Sequence, residues 1–233
     1  MLLPIRDENP TRRFPYLTIA LLLINVAVFV VMLGLPNEAA VNTFFAQYAM
    51  YPHAVVTGIP VTANSIEPVY LTIFTSMFLH GGFLHIIFNM LFLWIFGNNI
   101  EDALGRVKFL VFYFATGAAG AIAHILTDPS SVIPTVGASG AISGVLGAYL
   151  ILYPNARVLT VIPIFFFIQI IRLPAIVLIG FWFLLQLLSG IFELGLGTDG
   201  GGVAYYAHIG GFVAGVILML LMTKRRHRYS YRS

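Results

Sequence analysis

Three groups of residues in this chain have the types and spacing to do acyl chemistry. Ser139 stands in the run Thr135-Val136-Gly137-Ala138-Ser139-Gly140-Ala141-Ile142-Ser143-Gly144, which follows Pro134 and opens an apolar helix. A serine hydroxyl becomes a nucleophile toward a carbonyl when a base takes its proton, and a neutral imidazole can be that base near pH 7. His208 is the candidate. In Ala207-His208-Ile209-Gly210-Gly211-Phe212-Val213-Ala214-Gly215 it shares one helical face with Gly211 and Gly215, so the small residues that let two helices approach also aim the imidazole into the contact. The third group is His80-Gly81-Gly82-Phe83-Leu84-His85-Ile86-Ile87-Phe88-Asn89. His85 and Asn89 stack one helical turn apart and offer an imidazole and a carboxamide to an oxyanion. Backbone N–H groups at the start of the Ser139 helix, around Gly137 and Ser139, would join them, favoured by the helix dipole.

Each group also has a plainer reading. Gly140, Gly144 and Gly147 lie at the spacing by which membrane helices pack closely, and an intramembrane His or Asn commonly serves as an interhelical hydrogen-bonding residue. His80 fits a loop-anchoring role better than a chemical one. Other chemistries fit less well. A zinc site of the His-Glu-x-x-His type fails because His80 and His85 lack both the spacing and the glutamate, so no metal is expected. Paired carboxylates are also missing, since Asp128, Glu193 and Asp199 fall near external span ends. The Gly-x-Ser-x-Gly pattern fails at Ala141. With no acidic residue placed to orient His208, a Ser-His dyad is the minimal constellation.

The elements that would position these residues are membrane helices. The chain is 59% hydrophobic and 9% charged, with a mean hydropathy of +0.93, more apolar than a water-facing surface tolerates. Six apolar stretches, near 15 to 36, 83 to 100, 107 to 127, 137 to 153, 174 to 194 and 203 to 222, approach the length of about 20 residues that crosses a bilayer. Six crossings put all twelve Lys and Arg residues on one side, with both termini cytoplasmic. His85, Ser139 and His208 then sit at the starts of even-numbered spans, at one depth on the opposite side. The predicted architecture is an all-α, six-helix membrane bundle forming one domain over residues 1–233.

Residues 37 to 82 make the longest external connection; its aromatic residues predict a partly interfacial position. Val158 to Ile171, apolar but interrupted by Pro163 and bracketed by Arg157 and Arg172, reads as a cytoplasmic interfacial or re-entrant stretch. The net charge of +3 comes largely from the tail at 223–233, which suits anionic lipid headgroups; nucleic acid is not an expected partner. Met1 to Arg13 lacks the pattern of a removable signal, and without cysteine there is no disulfide or thiolate chemistry.

Taken together, the His-x-x-x-Asn element at His85 and Asn89, the Gly-x-Ser-Gly element at Gly137 to Gly140, the Ala-His-x-Gly-Gly-x-x-x-Gly element ending at Gly215 and the Gly97-Asn98-Asn99-Ile100-Glu101-Asp102 run resemble the rhomboid family of intramembrane serine proteases. The resemblance covers about Leu71 to Met222. It implies a water-accessible cavity, Ser139 as nucleophile, His208 as general base, and His85, Asn89 and the Ser139 amide around the oxyanion. It also implies transmembrane protein substrates, no cofactor, and a multi-pass position in a bacterial inner membrane with the site facing outward.

The chain departs from the family in two places. Its first loop has no Trp-Arg pair, so that loop must be anchored differently, and Ser143 stands where some relatives place an aromatic ring against the histidine. Buried chemistry needs entry for water and substrate, so the fifth span and the glycine-rich cap from Leu194 to Val203 are expected to move as a gate. The rival readings are an inactive relative that binds transmembrane clients and a transporter with a His85–His208 proton relay. The four polar residues together argue against the first; the lack of an intramembrane carboxylate and of inverted repeats argues against the second.

Overall fold

The computed structural model of the chain describes residues 2–164, 167–196 and 203–223. The stretch from Gly197 to Gly202, most of the expected cap, and the basic tail from Lys224 lie outside them. Strand β1 (Leu3–Asp7) leads into α1 (Tyr16–Leu33), and three shorter helices follow: α2 (Glu38–Tyr48), α3 (Pro52–Thr57) and α4 (Val69–Phe78). Next come α5 (Phe83–Leu104), which passes through a π-helical segment at Leu93–Gly97, then α6 (Arg106–Thr127) and α7 (Ser139–Leu152). Strands β2 (Arg157–Ile164) and β3 (Phe167–Pro174) precede α8 (Ala175–Leu196) and α9 (Tyr205–Thr223).

Every expected span coincides with a helix. Among the described residues, five helices, α1, α5, α6, α8 and α9, are long and apolar enough to cross a membrane. α7 is shorter, with 14 residues. At 1.5 Å per residue it extends about 21 Å, less than the roughly 30 Å hydrocarbon core. It is buried along almost its whole length, enclosed by α5, α6 and α9.

Small residues make that enclosure tight. A Cβ on Gly211 of α9 would strike the carbonyl oxygen of Gly140 on α7, and one on Gly215 would strike that of Gly144. Gly144 in turn faces Thr116 of α6, whose hydroxyl turns back to its own helix at Phe112 O, 3.0 Å away. Two faces of the central helix are therefore in near-backbone contact with neighbours.

At the other end of the bundle, carboxylates tie the chain together. Pro15 gives α1 no side-chain cap, and Glu101 of α5 supplies one instead: Oε1 accepts from Leu17 N–H at 3.0 Å, and Oε2 from Thr18 N–H and Thr18 Oγ1, each at 2.8 Å. A buried carboxylate with three donors at a helix N-terminus is well compensated. Asp7 accepts from Asn99 Nδ2 at 2.7 Å and from the Tyr149 hydroxyl at 2.8 Å, joining β1 to α5 and α7. Burial nonetheless raises the Asp7 pKa, the hydrogen bonds only partly opposing it.

The all-α expectation is corrected by a three-stranded antiparallel sheet in the order β1-β2-β3. The stretch read as interfacial or re-entrant is an antiparallel hairpin running from Arg157 opposite Pro174 to Ile164 opposite Phe167. Pro163 has no N–H for a helix, and the run Val158, Thr160, Val161, Ile162 and Ile164 is β-branched, which favours extended backbone. The hairpin returns Arg172 to the level of Leu159, beside Arg157, where it pairs with Glu8 at 2.6 Å.

The long connection between α1 and α5 is ordered through backbone pairing rather than by a Trp-Arg pair. Met50 and Thr135 exchange N–H···O bonds at 3.3 and 2.8 Å, and His53 N–H donates to Ser131 O at 3.0 Å. The expected aromatic residues Phe44, Phe45, Tyr48 and Tyr51 pack around Met32, Ala49 and Leu79. The first loop is thus fastened to the segment that leads into Ser139.

Candidate active site

Ser139 is the first residue of α7, where the leading N–H groups have no helical acceptor and no side chain caps them. Gly137 just before it has φ of +121°, a conformation that L side chains rarely adopt. A Cβ at Gly137 would lie 2.7 Å from His85 Nε2 and 3.6 Å from Ser139 Oγ, so the glycine leaves room for the His85 ring beside the serine. Its own N–H donates to Ser76 O at 2.9 Å. In this structure, therefore, the Gly137 N–H is occupied, and what the residue offers Ser139 and His85 is space.

His208, in the first turn of α9, brings Nε2 to 2.7 Å from Ser139 Oγ. The two side chains are 69 residues apart in the chain and are brought together by the Gly140–Gly211 and Gly144–Gly215 contacts that follow them along α7 and α9. His85 and Asn89 on α5 face the same cavity, whose volume is about 810 Å³ and whose lining also includes Ser139, His208 and Trp182. The Asn89 carboxamide donates one N–H back to His85 O at 2.8 Å, leaving its second N–H for the cavity. All four polar residues singled out by spacing therefore meet in one place.

The structure adds two residues that sequence reasoning missed, both on α8. Gln186 Oε1 lies 2.7 Å from His208 Nδ1, and the Trp182 ring lies beside the imidazole at 6.1 Å between centroids, tilted by 32°. Among the described residues, His208 is bonded to Ser139 and Gln186 and to no carboxylate. Ser143 turns away, donating to Ser139 O at 2.6 Å. The aromatic neighbour of the histidine thus comes from α8 and not from the helix of the serine. A signal was present: a carboxamide in the middle of the apolar run Phe181 to Leu188 is costly unless partnered, and Trp182 and Gln186 share one helical face.

His80, outside the spans, is buried with its ring 5.1 Å from that of His85. Burial, with the nearby His85 adding to it, lowers its pKa to about 4. The two rings meet edge to face, at 67° between planes. No cluster of three or more His, Cys, Asp or Glu side chains that could hold a metal occurs among the described residues.

Chemically, a hydroxyl bonded to an imidazole, with a second imidazole, a carboxamide and free helix N–H groups around one cavity, has the parts for nucleophilic acyl transfer. Residues 67–225 match the Rhomboid domain family. The chain is 32% identical over 205 residues to the mitochondrial Rhomboid protein 1 of Saccharomyces cerevisiae, covering 86% of this chain and 51% of that one. It is 35% identical over 141 residues to the rhomboid protease GluP of Bacillus subtilis, covering 60% of this chain and 24% of that one. The chain thus spans about half the length of the yeast relative and less of the Bacillus one. A mitochondrial and a bacterial protein match alike, so the expected bacterial inner membrane is not supported, and what stands is a multi-pass position in a membrane.

Proposed function

The chain belongs to the rhomboid family, and on that premise we propose that it is an intramembrane serine endopeptidase that cleaves transmembrane proteins in or next to their membrane segments. The observation that carries this reading is the 2.7 Å contact between Ser139 Oγ and His208 Nε2 inside a cavity large enough for a peptide segment. Ser139 Oγ forms a bond to the scissile carbonyl carbon while its proton passes to His208 Nε2, and the carbonyl π pair moves onto oxygen. His85, the free N–H of Asn89 and the Ser139 amide stabilise that oxyanion. Collapse expels the amine, which takes the proton from His208, and leaves an acyl-enzyme. Water then repeats the sequence with His208 as base, releasing the acid and restoring the serine.

The same reading places six crossings in a single domain, with the short α7 as the fourth, both termini cytoplasmic and the cavity opening on the other face. In support, Arg6, Arg157 and Arg172 lie in the sheet, which Asp7 joins to Tyr149 at the opposite end of α7 from Ser139. The short α7 sets the nucleophile below the membrane surface, and water reaches it through the cavity. The test is fluorophosphonate labelling and cleavage of a single-pass substrate by wild type and Ser139→Ala. Labelling and cleavage that vanish in the variant support a protease; a folded wild type that binds the substrate with neither activity marks a client-binding relative.

A further inference from the structure

The hydrogen bond between α8 and His208 points to a further functional residue. A neutral imidazole carries one N–H. When Ser139 O–H donates to Nε2, the ring proton is on Nδ1, and an acceptor must face it. Gln186 Oε1 is that acceptor, 2.7 Å away. Resting on the serine-protease reading, we propose that Gln186 is the positioning residue of the site, holding His208 in the Nδ1–H tautomer that leaves Nε2 free to act as base.

The surrounding geometry supports a dedicated contact. Trp182, Gln186 and Gly190 follow one another at four-residue steps on the face of α8 turned toward the start of α9. Trp182 lies beside the His208 ring, Gln186 bonds its Nδ1, and the Gly190 carbonyl accepts from the Tyr206 hydroxyl at 2.8 Å. The opposite face of α8 is apolar and outward, with Leu184, Leu188 and Phe192 exposed. A carboxamide on such a helix is stabilised only by a partner, and the partner here is the base. Being neutral, Gln186 fixes the tautomer and ring plane without supplying the charge by which a carboxylate would stabilise the imidazolium.

The titratable groups around His208 are His85 from α5 and His124 from α6, with Asp128, Glu193 and Tyr206 lining the same cavity. Because they are common to wild type and variants, a difference in pH profile between Gln186 variants reports the Gln186 contact.

The experiment uses the full chain in detergent with Gln186→Met, which keeps the length and removes the acceptor, and Gln186→Glu, which keeps an acceptor and adds charge. Gln186→Met is expected to lower both the fluorophosphonate labelling rate and kcat by about 10- to 100-fold with KM unchanged, as loss of base orientation requires. Gln186→Glu is expected to keep turnover and move the acid limb of the pH–rate profile upward by about one unit or more. Imidazole ¹⁵N shifts, assigned with His208→Ala, should give Nδ1–H for His208 in the wild type.

A Met variant that labels at the wild-type rate, an acid limb unmoved by Glu, or an Nε2–H tautomer in the wild type overturns the proposal. If wild type fails to label at all, the protease reading falls, while the ¹⁵N measurement still decides the tautomer. That readout also holds if a variant fails to fold.

Discussion

Gly211 of α9 and Gly140 of α7 approach so closely that a single methyl group on Gly211 would collide with the Gly140 carbonyl. Gly140 follows Ser139 directly, and Gly211 lies one turn beyond His208, so this backbone contact sets the distance between nucleophile and base. Gly211→Ala should therefore push the two helices apart. Overpacking of this kind costs about 1–3 kcal/mol, and the Ser139–His208 contact has no slack to absorb the shift. Thermal unfolding in detergent and turnover of a transmembrane substrate should both fall. Wild-type turnover in a folded Gly211→Ala protein would show that the contact does not govern the dyad.

Asn89 is buried in α5 with one carboxamide N–H bonded to its own helix and one toward the cavity. Asn89→Ala should reduce kcat by about 10- to 1000-fold, the range for loss of one oxyanion donor among several. Stability should change little, because the lost helix bond is local. Unchanged kcat with lowered stability would instead make Asn89 a packing residue.

His80 has its pKa lowered to about 4 by burial and by His85. A basic group held neutral in the fold contributes stability fully above its unfolded pKa, about 6.5, and that contribution is lost as pH falls from there toward 4. The wild-type thermal midpoint should fall over this window, and His80→Leu should fall less, by an amount on the order of 3 kcal/mol in stability. Parallel pH curves for the two proteins would refute the assignment.

The absence of cysteine makes topology directly measurable. A cysteine at Asn64, between α3 and α4, should label from the non-cytoplasmic face of the membrane, and one at Arg6 in β1 only from the opposite face. Labelling of position 64 from the cytoplasmic side would reverse the proposed orientation, and with it the side to which the cavity opens.

Hydropathy made the helices legible because each is a continuous apolar run, and five of them, among the described residues, reach the length that a crossing needs whatever their neighbours. The same is true of Ser139, His208, His85 and Asn89, whose spacing beside glycines states both their face and their contact. The chain itself therefore determined the helices, their faces and four polar residues of the site.

Other features were decided by contacts between distant segments. β1 pairs with β2 across about 150 residues, so the apolar stretch after α7 shows its strand character only where another edge is present to accept its hydrogen bonds. The first loop is fastened by Met50 and Thr135 through backbone atoms, which carry no residue signature. Gln186 reads in isolation as one polar residue in an apolar helix. Its meaning depends on the rotation of α8 against α9, which places Oε1 at His208 Nδ1. Helix formation follows from local composition; which side chain meets which nitrogen follows from packing, and that is settled only when all the helices have met.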